Sequence, residues 1–496
     1  MMSWTPCALE RARLWVYKTA NQWGERAETQ NTMSTNKNLV RIQAATQKYS
    51  WGRQGSSSLA AQLAYNAIGH DFKIDENESY AEIWMGTHTN GPAHLYDDPS
   101  KPLLSLISSD PKFYLGETLL RKWPSTTHIP YLFKVLSIAK ALPLQAHPDK
   151  GLGEQLQLKD PSNFVDANHK PEIAVAIGEP LKTARERAAQ SHGDEQEVGG
   201  GEDTAFTGFV GFRPLEEIRG FIEAVPELGE AIGDSQLVSS FVQNPSKDAL
   251  RRIFGKLLKR GVEAREEVAK TISQLQDRIK QSGGSLGFHD SDELAKLVLK
   301  VNKQYPGDAG VLATTFFMNF AKLRKGESIY IGADEIHAYL EGDIIECMAI
   351  SDNVVNAAFD SPDSLASQVD TFVDMLTYTA RPVSHWSLPA QKYEHSKLGR
   401  TVKYDPPLEE FTVLGTFLSA KKAREEHLGA VDGPTIGIVT RGKVKISSKK
   451  GDQVELLVLD QGAVVFIAPK NEVRVEILEG RGQDEAGEVW WSLFGA

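Results

Sequence analysis

The chain has 496 residues, well beyond one typical domain, so two or three separate cores are expected. It is 41% hydrophobic and 24% charged, the balance of an ordinary soluble globular protein. A net charge of -11 argues against general affinity for nucleic acid, which demands clustered Lys and Arg. A small phosphorylated substrate stays possible, since it needs only about two or three local cations. The two cysteines, Cys7 and Cys347, can build neither a disulfide framework nor a cysteine zinc site, and they fit a reducing compartment, the cytoplasm. No run approaches the ~18–20 apolar residues that cross a bilayer, so no membrane partner is expected.

In chain order, residues 1–38 read as an extension without fixed structure. Arg11, Arg13, Lys18 and Arg26 alternate there with Glu10, Glu25 and Glu28, unlike acid-poor transit peptides, and no long apolar core suggests secretion. Met33 offers a second start just before the first strand-like segment, 39–48, which a Gly/Ser turn region follows. Up to Ile177, short apolar runs are split by Pro, Gly and Asp at strand-like spacing, most clearly at 131–138 and 142–147. Residues 182–205 are charged and rich in small residues, a surface insertion. Its Gly199-Gly-Gly201 is no phosphate loop, because no Gly-Lys-Ser/Thr follows.

From Arg213 to Lys300 the period is helical. Leu250, Ile253, Phe254, Leu257 and Leu258 form one buried stripe behind a start signal at Pro245-Ser246, and Val268, Ile272, Leu275 and Ile279 form another. Strand character returns at 328–331 and 343–350. After Arg381 the chain is β-rich: Val444/Ile446 and Val473/Val475/Ile477 alternate, with Gly442, Gly451 and Gly462 as turns. The fold class is therefore mainly β with an inserted α-helical domain. The expected boundaries are 39–181 with 301–380 for one β domain, 206–300 for the helices, and 381–496 for a second β domain. Helices capping one end of a single large sheet would fit the same order.

The segment Leu142-Pro-Leu-Gln145-Ala-His147 puts two polar side chains on one face of a strand, which is costly unless something satisfies them. Glu172 lies just ahead of an apolar run, and His337 follows a strand. A carboxamide oxygen, two imidazoles and a carboxylate suit zinc, with manganese, iron or cobalt possible. By spacing alone the signal is weak, since a lone histidine on a strand is more often a hydrogen-bonded structural residue.

Nine segments occur in register: Tyr49-Ser-Trp-Gly52, Tyr80-Ala-Glu-Ile-Trp-Met-Gly-Thr-His88, Tyr131-Leu-Phe-Lys-Val-Leu-Ser137, Gln145-Ala-His-Pro-Asp-Lys150, Asp166-Ala-Asn-His-Lys-Pro-Glu172, Gly211-Phe-Arg-Pro214, Tyr305-Pro-Gly-Asp308, His337-Ala-Tyr-Leu340 and Glu346-Cys-Met-Ala-Ile-Ser-Asp-Asn353. Together they resemble the type I phosphomannose isomerases over the chain from about Leu39 onward. The resemblance implies two cupin-type (jelly-roll) β-barrels, the first catalytic. It implies one zinc per chain on Gln145, His147, Glu172 and His337, and interconversion of mannose 6-phosphate and fructose 6-phosphate, feeding GDP-mannose synthesis. It further implies a cytoplasmic monomer whose partner is a small sugar phosphate.

Glu346, between Ile344 and Met348 on one strand face, is the candidate base, because burial there would raise its pKa. Lys170 is the second catalytic candidate, for phosphate or a sugar oxygen. Trp51, Lys150, Tyr339 and Asp352 join as substrate-binding residues through the resemblance alone. Between Tyr404 and Ala496 the only histidine is His427, so the second barrel is read as structural.

One stretch departs from the family. After Asn353-Val-Val355 the family continues with Arg, then Ala-Gly and Thr-Pro-Lys; here the chain reads Asn356-Ala-Ala-Phe-Asp360-Ser-Pro362-Asp363. Asn356 replaces an arginine assigned to catalysis, and the lysine falls at Pro362 or Asp363. Pro143 stands where the family often has serine. A fixed cationic fork is exchanged for a neutral dipole, a loss that commonly costs on the order of 10²–10³ in rate. The alternative function is thus a zinc-binding paralogue that senses or scaffolds sugar phosphates. An iron oxygenase is a more distant third, because the ligand set lacks a clean two-histidine, one-carboxylate face.

Overall fold

The computed structural model describes residues 36–69, 71–183, 203–289, 291–450, 453–478 and 486–495. The expected extension up to 35, the 184–202 part of the insertion and Gly451 lie outside the described residues. Asn38–Ala496 forms one compact unit of several antiparallel sheets and a helical body. Among the described residues no helix is long and apolar enough to cross a membrane.

The largest sheet has ten strands. At its centre Tyr131–Ile138 pairs with His337–Ala349, which pairs in turn with Thr204–Phe212, Leu144–Ala146 and Glu172–Ala176. Every residue of Tyr131–Ile138 and of His337–Ala349 is buried. Both strands are therefore covered on both faces, so neither shows the in-and-out alternation of a half-exposed strand. The polar residues they carry must then be paired, and the register does this: Glu346 lies opposite Lys134, Asp343 opposite Ser137, and His337 opposite Gln145.

An irregularity sets which side chains of the long strand share a face. Thr207 pairs with Glu341 but Gly208 pairs with Tyr339, so one step on one strand matches two on the other. Side chains alternate along a strand, so without this bulge His337 and Glu346, an odd and an even position, would point to opposite faces. With it, Tyr339 and Ile344 join the same buried cluster, while Ile345 and Cys347 join the one on the other side. Gly342 sits at the bulge with φ 127°, where a Cβ would come within 2.5 Å of the Ala205 carbonyl oxygen.

A second sheet of eight strands and a third of four strands follow. Leu414, Val439 and Trp491 from the second meet Ile446, Leu459 and Val475 from the third in one core. Phe133, Val135, Ile173 and Ile345 of the largest sheet pack against Val413, Ile438, Phe466 and Trp490 of the second. The Tyr131 hydroxyl ties them by donating to the Ser492 carbonyl at 2.7 Å.

Leu39–Gln43 pairs with Val464–Ile467 on one side and with His94–Leu95 on the other, so this first strand lies in the second sheet, most of which comes from the C-terminal half. Its start is fixed there because the Glu455 carboxylate accepts the Asn38 and Leu39 backbone N–H groups, both at 3.0 Å. Ahead of the helical block Thr204–Phe212 is a strand paired on both sides, and beyond Pro214 the helices of that block start with Leu215–Ala224. They also run past 300, in Asp292–Gln304, and recur at Pro362–Met375, inside the segment expected to be β. That helix packs its Val369, Phe372 and Val373 into the core of Phe254, Leu257 and Leu258. The two long helical stripes are as the period implied, Lys247–Glu263 and Arg265–Gln281, and the Ser246 side chain caps the first by accepting from Ala249 N–H.

Because Gly342 lets both halves of the long strand face one side, Gly342→Ala should lower unfolding free energy by about 1–3 kcal/mol. Urea denaturation reads this directly, and a wild-type midpoint would contradict the role given to the bulge.

Candidate metal centre

Three side chains converge in the largest sheet. His147 follows the short Leu144–Ala146 strand, Glu172 opens Glu172–Ala176, and His337 opens His337–Ala349. They are 1%, 3% and 0% exposed, and one candidate ligand atom from each lies within 4.8 Å of the others. The turn before His337 is pinned to the segment after His147: Asp334 N–H donates to the His147 carbonyl at 2.7 Å, and Asp334 Oδ1 accepts Asp149 N–H at 3.2 Å. Asp334 has φ 59°, a conformation that its short polar side chain tolerates.

Both imidazoles are oriented from behind. His147 Nδ1 lies 2.8 Å from the Asn353 carbonyl oxygen and His337 Nδ1 lies 3.1 Å from that of Glu335. A carbonyl only accepts, so each Nδ1 carries the proton and each Nε2 presents a lone pair. Those two Nε2 atoms are 3.5 and 3.1 Å from the Glu172 carboxylate, and both are buried without a hydrogen bond. Burial, with Lys170 nearby, pushes His147 down to about 4, so it is neutral at pH 7. Burial acts to raise Glu172 but is outweighed by His337 and then His147 when either ring carries a proton toward it, which holds the carboxylate well below the usual range. Three acceptors facing one point without a donor repel one another unless a cation lies between them, so these residues fit a divalent metal.

Gln145, the fourth expected ligand, lies directly opposite His337 and therefore presents its side chain to the same face. Tyr339, expected to bind substrate, is fully buried, and its hydroxyl donates to Glu172 Oε1 at 2.7 Å and so orients that carboxylate.

Beside the centre lies a buried charge network. Lys134 Nζ donates to Glu346 at 2.8 Å and is 3.5 Å from Glu82, which also accepts the Trp84 indole N–H. Burial pushes Glu346 up to about 7, against the pull of Lys134 and with the help of Glu172 and Glu82. Half-buried Lys170 is pushed down, first by burial and then by the like charge of Lys134. Asp352 accepts from His88 Nε2 at 3.2 Å and from Asn90 Nδ2 at 3.1 Å. The half-exposed Lys150 is paired with Glu410 at 3.2 Å, which also takes His169 Nε2 at 2.9 Å. Trp51 stacks on Tyr49 and packs against the cluster that holds Tyr339. Asn356 donates through Nδ2 to Asp360 at 2.9 Å.

Lys134, Glu82, His88 and Glu410 had no role in the sequence reading. A signal existed for Lys134, since a lysine inside an unbroken apolar strand needs a buried partner. Glu410 carried none, because its partners are 241 and 260 positions away.

Fold and centre together are those of a metal-binding enzyme. Two family models match: "Phosphomannose isomerase type I, catalytic domain" over residues 39–185, and the helical insertion domain of the same family over 226–318. A mannose-6-phosphate isomerase of Candida albicans is 37% identical over 459 residues, covering 89% of this chain and 96% of that protein. That of Saccharomyces cerevisiae is 35% identical over 460 residues, covering 90% and 96%. The apo form of the Salmonella typhimurium enzyme shares the fold with TM-score 0.69 at 21% identity, covering 93% of this chain and 100% of that one. A crystal structure of mannose 6-phosphate isomerase bound with zinc and yttrium aligns equally well, with TM-score 0.69. The chain belongs to the type I phosphomannose isomerase family.

Removing one imidazole should leave the other acceptors without their ion. His337→Ala should weaken zinc binding more than about 100-fold, beyond the range of outer-shell substitutions. Elemental analysis after dialysis checks it, and full zinc retention would contradict the centre.

Proposed function

We propose that this chain interconverts mannose 6-phosphate and fructose 6-phosphate. The observation that carries the reading is the convergence of three buried acceptors beside a carboxyl group held near neutral pKa. In the same proposal Gln145, His147, Glu172 and His337 hold one zinc per chain within a cupin barrel. A second cupin barrel at 381–496 is structural, and the enzyme acts as a cytoplasmic monomer. Family membership supports the two barrels; the two cysteines of the sequence support the compartment.

When bound, the zinc supplies an electrophile for negative charge developing on a substrate oxygen. The remaining work falls to side chains. Glu346, as carboxylate, takes the proton from one of the sugar carbons C1 and C2 and returns it to the other, while a second proton passes from the hydroxyl oxygen of one carbon to the carbonyl oxygen of the other. Lys134 donates to Glu346 and fixes its orientation. Lys170, for which the described residues provide no carboxylate within ion-pair distance, faces an anionic group of the substrate. Asp352, held by His88 and Asn90, accepts from sugar hydroxyls, while Trp51 and Lys150 flank the entrance. Asn356 contributes a dipole where a guanidinium would contribute charge.

A coupled assay on mannose 6-phosphate should show turnover that a chelator abolishes and added zinc restores. Zinc-loaded protein without turnover would sink the isomerase and favour a binding-only paralogue.

The Glu346 carboxylate is the base form and is populated above its pKa. The rate kcat/KM should therefore fall as pH drops through about 7. Glu346→Gln should lower kcat by about 10²–10⁴ while changing KM little. Steady-state kinetics measures both, and a Gln variant within a few-fold of wild type would remove Glu346 from the role.

A further inference from the structure

The residue that replaces the family arginine has an unmet bonding requirement of its own. Asn356 lies in the Val355–Ala358 strand directly opposite Gln145, and Gln145 lies directly opposite His337 on its other side. Residues opposite one another in an antiparallel ladder present side chains to the same face, with Cβ atoms about 4.5–5.5 Å apart. Asn356, Gln145 and His337 therefore form one row across the sheet, ending at the metal centre.

The orientation of the Asn356 carboxamide is determined by its surroundings. Its Nδ2 donates to Asp360 Oδ2 at 2.9 Å, and a carboxylate can only accept, so the amide nitrogen must face Asp360 and Oδ1 must face away. The arrangement cannot easily swing. Asp360 also takes Ser361 N–H at 2.7 Å and the Ser364 hydroxyl at 2.8 Å, and Asn356 N–H donates to Gln368 Oε1 at 2.7 Å. Gln368 is itself held by Ser364 at 3.0 Å. The Asn356 Oδ1 left by this network is buried and has no hydrogen-bond partner. A buried acceptor of this kind costs about 1–3 kcal/mol unless a donor reaches it.

Gln145, which is partly buried, can offer the matching donor. A glutamine that binds a metal does so through Oε1, which leaves two N–H groups on Nε2 in search of an acceptor. The described residues show no hydrogen bond from its side chain. We infer that Asn356 is a positioning residue, whose Oδ1 accepts from Gln145 Nε2 and thereby turns Gln145 Oε1 toward the ion. The inference rests on reading Gln145 as a ligand. An arginine at this place offers only donors and could not do the same. The exchange thus removes a cation from the pocket and supplies an acceptor to a metal ligand.

Zinc affinity, measured by competition with a chelator of known affinity, tests this without reference to turnover. Asn356→Ala should weaken zinc roughly 10–100-fold, as loss of an outer-shell partner does. Should that variant fold poorly, Asn356→Leu keeps the volume, removes the acceptor, and should show the same loss. Gln145→Ala should also weaken zinc, and the double variant should be no weaker than Gln145→Ala alone. Wild-type affinity in Asn356→Ala beside weakened Gln145→Ala would overturn the inference and leave the ligand set standing. Additive losses would overturn it too, since Asn356 would then act by another route. Wild-type affinity in Gln145→Ala would sink the underlying reading of Gln145 instead.

Discussion

Two imidazole lone pairs and an ionised carboxylate meet at one buried point, and nothing at that point donates to all three. This arrangement is unfavourable in a metal-free protein, yet the surrounding structure holds it in place. The Asn353 and Glu335 carbonyls fix the histidine tautomers, and the Tyr339 hydroxyl fixes one oxygen of Glu172. Such outer partners orient ligands before an ion arrives, so less is lost on binding. Much of the sheet's register follows from this need, since His147, Glu172 and His337 come from three strand ends that only pairing brings together.

The same strand that opens with His337 carries Glu346 further along, and the bulge near Gly342 gives both a common face. Glu346 is poised by opposing effects. Burial favours its neutral form, whereas Lys134 opposite it on the next strand favours the charged form. The result, about 7, is where a group can both take and release a proton at physiological pH. Asn356 belongs to this account as well. Its Nδ2 is held by Asp360, and its buried Oδ1 has no hydrogen-bond partner.

Much of this was legible in the sequence wherever the signal was local. The Tyr131–Ile138 and Ser328–Ile331 strands have the limits their apolar runs implied, and Ser246 caps the helix whose stripe begins at Leu250. His147, Glu172 and His337 each stand as a polar residue beside an apolar run, a weak signal that the family resemblance turned into a ligand set. What failed was nonlocal. Nothing in Leu39–Gln43 says that its partner is Val464–Ile467, and nothing near Pro362 says that a helix there would find the Phe254 core. A one-residue bulge has no signature in a pattern of period two, so the shared face of His337 and Glu346 could not be read. The 2.7 Å contact of Tyr339 with Glu172, between residues 167 positions apart, had no local signal either.

Diffraction from zinc-loaded crystals on both sides of the zinc absorption edge tests the central claim most directly. A single anomalous peak should lie about 2.0–2.2 Å from His147 Nε2, His337 Nε2 and a Glu172 oxygen. A peak bound elsewhere, or none in crystals shown to contain zinc, would contradict it.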